Sequence, residues 1–194
     1  MPKLKLEDEV LFISPIPVKK SETRTDYKVI FPAKVVNSKV EGYEFGEISL
    51  KKKVDEKYFV KKNDILLQIK GNKFDSILID KDLRNTLPSN TYLILRLKSD
   101  KILPKYLQWY LNTKTITEYF EKNTSGAIIK ILRKNTISDL VLNAPSIEEQ
   151  EKIIEMLENF ELEKRRLLRY LENKEELIEM TIMKKYGEIE WWKF

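Results

Sequence analysis

SIEEQEKIIEMLENFELEKRRLLRYLENKEELIEMTIMKKYG, residues Ser146 to Gly187, reads from end to end as a single helix. Ser146 and Glu149 stand at the S-x-x-E spacing of a capping box, with Pro145 just outside it. Glu148, Glu149 and Glu151 crowd the first turns and Lys184 and Lys185 the last, so both ends complement the helix dipole, and Gly187 is placed to cap the end. No Pro or Gly interrupts the run. At 1.5 Å per residue it would extend roughly 60 Å, about twice what a small domain can cover. Ile153, Phe160 and Leu167 fall at one seam position of a coiled coil and Leu157, Leu171 and Ile178 at the other, with Lys164 and Lys174 interrupting. Leu168, Leu177, Ile182 and Met183 widen the stripe. A helix lying across its own domain would leave most of that stripe bare, so a partner helix is expected.

The remainder of the chain differs in charge. Of the 194 residues, 36 are Lys or Arg and 31 Asp or Glu. Residues 146–194 hold 9 basic against 13 acidic side chains, a net of −4, which leaves residues 1–145 at +9. A basic globular part on an acidic helix suggests a polyanion-binding head on a protein-binding stalk. Lys-rich composition has a bland reading too, as the mark of a biased genome or a hot habitat. Cysteine and histidine are both absent, which removes disulfides, zinc fingers, Cys or His nucleophiles and imidazole bases. Lys3, Lys5 and the acidic Glu7 to Glu9 precede only a short apolar run, and no apolar stretch approaches membrane-spanning length. A soluble, cytoplasmic protein without a membrane contact is expected.

In chain order, Val10 to Ile13 is a short apolar run closed by Pro15 and Pro17, and Lys19 to Arg24 is a polar basic loop. Tyr27 to Val36 is β-rich, with Pro32 marking an edge or break. Gly42 and Gly46 bracket an expected turn containing Tyr43 and Phe45. Lys51 to Lys53 is a charge run of the kind that usually edges a solvated surface. Asn63-Asp64 turns the chain into a strand over Ile65 to Ile69; Gly71-Asn72-Lys73 turns it again, and Phe74 to Ile79 returns as a hairpin partner. Thr91 to Leu97 is a further strand. Pro104 opens a helix that pauses near Asn112-Thr113 and resumes to about Lys122. Asn123 to Asn135 is a Gly-hinged loop feeding an apolar run that carries Lys130, Arg133 and Lys134, and Asp139 to Asn143 is a last strand. The expected fold is α+β: one globular domain over 1–145, strands first and helices after, with a twisted sheet and flanking helices, then the long helix over 146–187 and an aromatic tail over 188–194.

No G-x-G-x-x-G, no P-loop and no N-P-P-Y-like tetrapeptide for gripping a flipped adenine is present. Asp75, Asp80 and Asp82 lack a second convergent carboxylate set and read as surface charges. No catalytic constellation, metal site or cofactor site is expected, and the chain reads as a non-enzyme.

Four segments resemble one family. KNDILLQIKG (Lys62 to Gly71) is similar to the "GDIL…G" strand of the specificity subunits of type I restriction–modification systems, and PKYLQWYLNT (Pro104 to Thr113) to their helix before the loop. SGAIIKIL (Ser125 to Leu132) resembles their "SG…L" segment. Pro145 to Ile153 (PSIEEQEKI) resembles their "P-P-L-x-E-Q-x-x-I" junction, with Ala144 in place of the first proline. The segments occur in the family's order from about residue 60 to 187. The resemblance implies a target-recognition domain followed by a spacer helix, here one of each, and hence a half-length member acting as a homodimer on a split palindrome. It implies double-stranded DNA and methyltransferase (modification) subunits as partners, with restriction and translocase subunits joining through them, and no catalysis by the chain itself.

On that reading Lys and Arg hold phosphates while Arg, Lys, Asn and Gln read base edges. The candidates are Lys70, Asn72, Lys73, Ser125, Lys130 and Arg133, with Lys19, Lys20 and Arg24 in the first loop. The dimer seam is Ile153, Leu157, Phe160, Leu167, Leu171 and Ile178. Trp191, Trp192 and Phe194 would either fold back on that dimer or touch the methyltransferase. The alternative is an assembly protein whose basic head binds an acidic protein.

Overall fold

The computed structural model describes residues 2–16, 27–32, 35–36, 39–40, 43–48, 54–126 and 129–187. Lys19, Lys20, Arg24, Gly42, the lysine run 51–53 and the aromatic tail 188–194 lie outside the described residues. The elements run β1 (Lys3–Lys5), α1 (Leu6–Glu9), β2 (Val10–Ile13), β3 (Tyr27–Pro32), β4 (Val35–Val36), β5 (Lys39–Val40), β6 (Tyr43–Ile48), β7 (Ile65–Gln68), β8 (Ser76–Leu78), β9 (Thr86–Pro88) and β10 (Tyr92–Leu97). They continue with α2 (Pro104–Leu111), α3 (Lys114–Lys122), β11 (Thr124–Ser125), β12 (Ile131–Leu132), α4 (Lys134–Ser138), β13 (Val141–Asn143) and α5 (Ile147–Tyr186). The chain divides into two compact units, Met1–Glu151 and Lys152–Phe194.

The centre of the first unit is an antiparallel sheet in the order β2-β10-β7-β8. Register places Ile13, Ile94, Leu66 and Ile77 in one row across all four strands. These four join Ile30, Val60, Ile79 and Tyr92 in a single buried cluster. Alternate residues point the other way: Leu67 pairs with Leu93 and Ile65 with Leu95, all four buried. Both central strands are therefore covered on both faces, which explains why ILLQ and YLILRL are nearly continuous apolar runs. On this second face α2 packs over β8. Tyr106, Leu107 and Leu111 of α2 and Ile116 and Phe120 of α3 are its buried stripe. Each such side chain withdrawn from water contributes on the order of 1.5–3 kcal/mol.

A second sheet, β6-β3-β9, pairs β3 antiparallel with β6 and parallel with β9. Here the structure corrects the sequence reading. Tyr43, Phe45 and Gly46 are not a turn but belong to strand β6, with Gly46 opposite Val29. Glycine suits that place because a Cβ on Gly46 would meet Phe31 Cε2 at 2.6 Å. The order of strands first and helices after is also only partly right. α1 precedes β2, while β11, β12 and β13 follow α3, and β13 returns to pair with β1. A helix of four residues has no period to read, although Leu6 and Glu9 within it are buried. Asp80 and Asp82 are exposed as expected of surface charges, whereas Asp75 is half-buried.

Three buried polar groups fix the turns around this core. Asp64, 1 % exposed, accepts from Arg96 Nε at 2.8 Å, from Arg96 Nη2 at 2.7 Å and from the Lys61 amide at 2.7 Å. Asn63 before it takes φ +71°, a left-handed value that asparagine tolerates. Glu9, 4 % exposed, accepts from the Ser99 hydroxyl and from Lys101 Nζ at 3.0 Å. Gln150, fully buried, accepts from the Leu103 amide at 2.9 Å and donates to the carbonyls of Lys101 at 2.9 Å and Pro145 at 3.0 Å. The glutamine of the E-Q-x-x-I junction thus binds the first turns of α5 into the loop that precedes α2.

α5 has the ends its sequence specifies. Ser146 N donates to Glu149 Oε2 at 3.0 Å and Glu149 N to Ser146 Oγ at 3.3 Å, a reciprocal capping box. At the far end Gly187 takes φ +77° and its amide bonds Met183 O at 3.0 Å. Phe160, Leu167, Leu171 and Ile178 are 61, 57, 54 and 52 % exposed, while Ile153 and Leu157 are half-buried. No helix among the described residues is long and apolar enough to cross a membrane.

Candidate nucleic-acid interface

Two segments sixty residues apart are stitched together by main-chain bonds. β7 ends at Gln68, and the chain turns through Gly71-Asn72-Lys73 before β8. β11 and β12 form a two-stranded ladder with Thr124 opposite Leu132 and Ser125 opposite Ile131. The turn joins the ladder as a third member. Lys70 bridges Ile131, Leu132 N donates to Ile69 O at 2.9 Å, and Gly71 N donates to Lys130 O at 3.1 Å. Ser125, Ile131 and Lys70 are cross-strand neighbours and therefore share one face, while the alternate residue Leu132 is buried.

Two glycines make the stitch possible. Gly71 takes φ +126°, and a Cβ there would come within 2.9 Å of Gln68 Nε2, the group that donates to Lys70 O at 3.0 Å. Gly126 takes φ +107°, and a Cβ would run into the carbonyl oxygen of Ile129. The glycine of the "SG…L" segment is thus a backbone requirement, since its φ and the nearby Ile129 carbonyl leave no room for a side chain.

Of the sequence-derived candidates, the structure brings Lys70, Asn72, Lys73, Ser125, Lys130 and Arg133 into these joined segments. Asn72, Lys130 and Arg133 are exposed; Lys70, Lys73 and Ser125 are half-buried. Lys19, Lys20 and Arg24 lie outside the described residues. Three neighbours lie outside that set of candidates. Ile129 and Ile131 are 59 and 40 % exposed within the same segment, and Lys134 at the start of α4 stands over the Phe12 ring at 5.6 Å. Ile129 and Ile131 bracket Lys130 in the sequence, but an apolar run alone gives no sign of facing water.

A separate concavity of about 360 Å³ opens at the other end of β7, lined by Lys61, Lys62, Asp64, Arg96, Asp100 and Pro104 among others. Its central pair, Asp64 and Arg96, is spent on holding the turn. Among the described residues no group of three or more His, Cys, Asp or Glu could hold a metal ion. The surface offers Lys and Arg cations, one exposed amide and a hydroxyl on a braced backbone, a set suited to anions and base edges.

The sequence matches the family described as type I restriction modification DNA specificity domain over residues 9–177. The chain belongs to that family. Among curated proteins, the HindI type I restriction enzyme specificity subunit of Haemophilus influenzae is 30% identical over 102 residues, 50% of this chain and 22% of that one. The MjaIX specificity subunit of Methanocaldococcus jannaschii is 30% identical over 78 residues, 40% of this chain and 18% of that one. Among solved structures, the S subunit of a type I restriction–modification system from M. genitalium superposes with a TM-score of 0.58 at 19% identity, covering 94% of this chain and 45% of that one. The HsdS subunit from Thermoanaerobacter tengcongensis gives 0.63 at 12% identity, covering 94% and 47%. The chain's matched part amounts to about a fifth of each curated relative and under half of each solved one.

Proposed function

We propose that this chain is the DNA-reading part of a type I specificity subunit. Unit Met1–Glu151 would recognise a short half-site in duplex DNA, and α5 would assemble the complex. The observation that carries the reading is the main-chain stitch between the Gly71-Asn72-Lys73 turn and the Ser125–Arg133 segment. It gathers Lys70, Lys73, Lys130 and Arg133 with Asn72 and Ser125 on a backbone that cannot slide. Lysine and arginine would neutralise phosphates while Asn72 reads a base edge. The chain contributes recognition and no bond chemistry; the sequence holds neither His nor Cys, and the methyl transfer and cleavage fall to modification and restriction subunits docked on it.

The exposed seam of α5 is proposed to pair with a second copy of the chain. A closed twofold dimer imposes its symmetry on the target, so two identical heads would read inverted half-sites separated by unread spacer. Binding to random duplex DNA should fall steeply from low to moderate salt, as phosphate contacts require. Selection from a random DNA pool, with the cognate methyltransferase present, should then return a split palindrome. Salt-insensitive binding would remove the nucleic-acid reading in favour of an acidic protein partner. Recovery of a contiguous or asymmetric motif would remove the symmetric dimer and leave DNA reading intact.

A further inference from the structure

An isoleucine stands in the middle of the polar face of the candidate interface. Ile131 pairs with Ser125 on one side and Lys70 on the other, so a hydroxyl, an aliphatic side chain and an ammonium form one cross-strand row. Ile131 is 40 % exposed, whereas Leu132 beside it is buried. Main-chain bonds hold the chain on both sides of it: Lys130 O accepts from Gly71 N at 3.1 Å, and Leu132 N donates to Ile69 O at 2.9 Å. As a β-branched residue it is also stiff at χ1. Ile131 is therefore a fixed apolar shape presented to solvent.

The surroundings select the partner. Residues 69–74 and 124–138 hold Lys70, Lys73, Lys130, Arg133 and Lys134 and no Asp or Glu. Such a face attracts a polyanion, yet an isoleucine gains nothing by desolvating a phosphate. Stacked duplex DNA offers apolar contact at the C5-methyl group of thymine, which lies in the major groove. Resting on the DNA reading proposed above, we infer that Ile131 reads the methyl group of a thymine in the major groove. Three strands about 4.8 Å apart make a row about 10 Å across. The major groove, roughly 12 Å wide, admits that row, and the minor groove, roughly 6 Å wide, does not. Ser125 and Lys70 then meet polar groups on either side of the methyl. Ile129 is more exposed, at 59 %, but stands outside the ladder and is not braced in this way.

Deoxyuridine in place of thymidine removes that methyl group and keeps the base pair, so it isolates the contact. Sites selected from a random DNA pool, with the cognate methyltransferase present, should contain a thymine at which this replacement weakens wild-type binding about threefold to tenfold, the worth of roughly one buried methyl group. Full-length Ile131→Ala should lose a similar factor on the thymine site and be indifferent to the replacement. Ile131→Val should lie between, and Ile129→Ala should keep the wild-type discrimination. A selected site with no such thymine would overturn the inference, and this arm depends on no variant. Equal weakening of Ile131→Ala on thymine and deoxyuridine sites would overturn it too, as the mark of a wedge between bases. So would undiminished DNA binding by Ile131→Ala, which would give the side chain to a protein partner instead. Salt-dependent binding of the wild-type protein to random duplex DNA persists when only the methyl contact is wrong and is absent when the DNA reading itself fails.

Discussion

The side-chain amide of Asn112 pairs with the main chain of Ser76 as a neighbouring strand would. Asn112 Oδ1 accepts from Ser76 N at 2.7 Å, and Asn112 Nδ2 donates to Ser76 O at 2.8 Å. Ser76 lies on β8, an edge strand of the main sheet, and Asn112 lies in the break between α2 and α3. One side chain therefore closes a sheet edge and ties the helical layer to it, with Gln108 Nε2 adding a bond to the same carbonyl at 3.0 Å.

Asn112→Ala leaves the Ser76 amide without its acceptor on a residue only 2 % exposed. The expected cost is about 2–3 kcal/mol, read as a fall in the urea midpoint with unchanged slope. Asn112→Asp keeps the acceptor and loses the donor, so it should fall between the two proteins.

Glu9 supplies a pH dependence whose sign is fixed. The Ser99 hydroxyl first, and Lys101 second, hold its carboxyl below the usual glutamate value. A carboxylate more acidic in the folded chain contributes stability that is fully present above its unfolded pKa and is lost as pH falls through the folded one. Wild-type stability should therefore drop on acidification below about pH 4.3, the ordinary glutamate value, more steeply than that of Glu9→Gln. Parallel slopes for the two proteins in chemical denaturation between pH 5 and 3 would contradict this.

Gln150→Ala removes three bonds to main-chain groups of the 101–103 loop and Pro145. A loss of about 2–4 kcal/mol is expected, with the Leu103 amide gaining hydrogen exchange ahead of the sheet amides. Gln150→Glu should be no better, because a carboxylate cannot donate to the two carbonyls.

On the candidate interface, Lys130→Ala should weaken binding to all duplexes alike and lower the slope of log affinity against log salt by about 1. Asn72→Ala should leave that slope unchanged and relax preference at one position of a selected site. Gly71→Ala should impair both readouts together, since it disturbs the turn that positions them.

The parts legible in sequence are those whose signals are local. The capping box, the Gly187 stop, the Asn63-Asp64 turn, the β7–β8 hairpin and the pause at Asn112-Thr113 were each encoded by residues in contact along the chain. What stayed hidden was long-range backbone pairing. β9 is three residues ended by Pro88 and aligns parallel with β3; β1 pairs with β13 across nearly the whole first unit. The bonds from Gly71 to Lys130 and from Leu132 to Ile69 are main chain to main chain and leave no mark on residue type. Lys70 and Lys130 could thus be nominated separately, but nothing in their side chains said they would be neighbours. Gly46 misled because glycine serves equally for a turn and for making room beside Phe31.

The buried amide of Gln150 also decides where this molecule can be cut and rejoined. A chimera joined at Pro145 would supply the head with a foreign residue at that place and strand the Lys101 carbonyl and the Leu103 amide. One joined after Glu151 carries its own key, and the compact first unit ends at that residue. The transferable module of this chain therefore includes the opening turn of a helix whose remaining length it does not own.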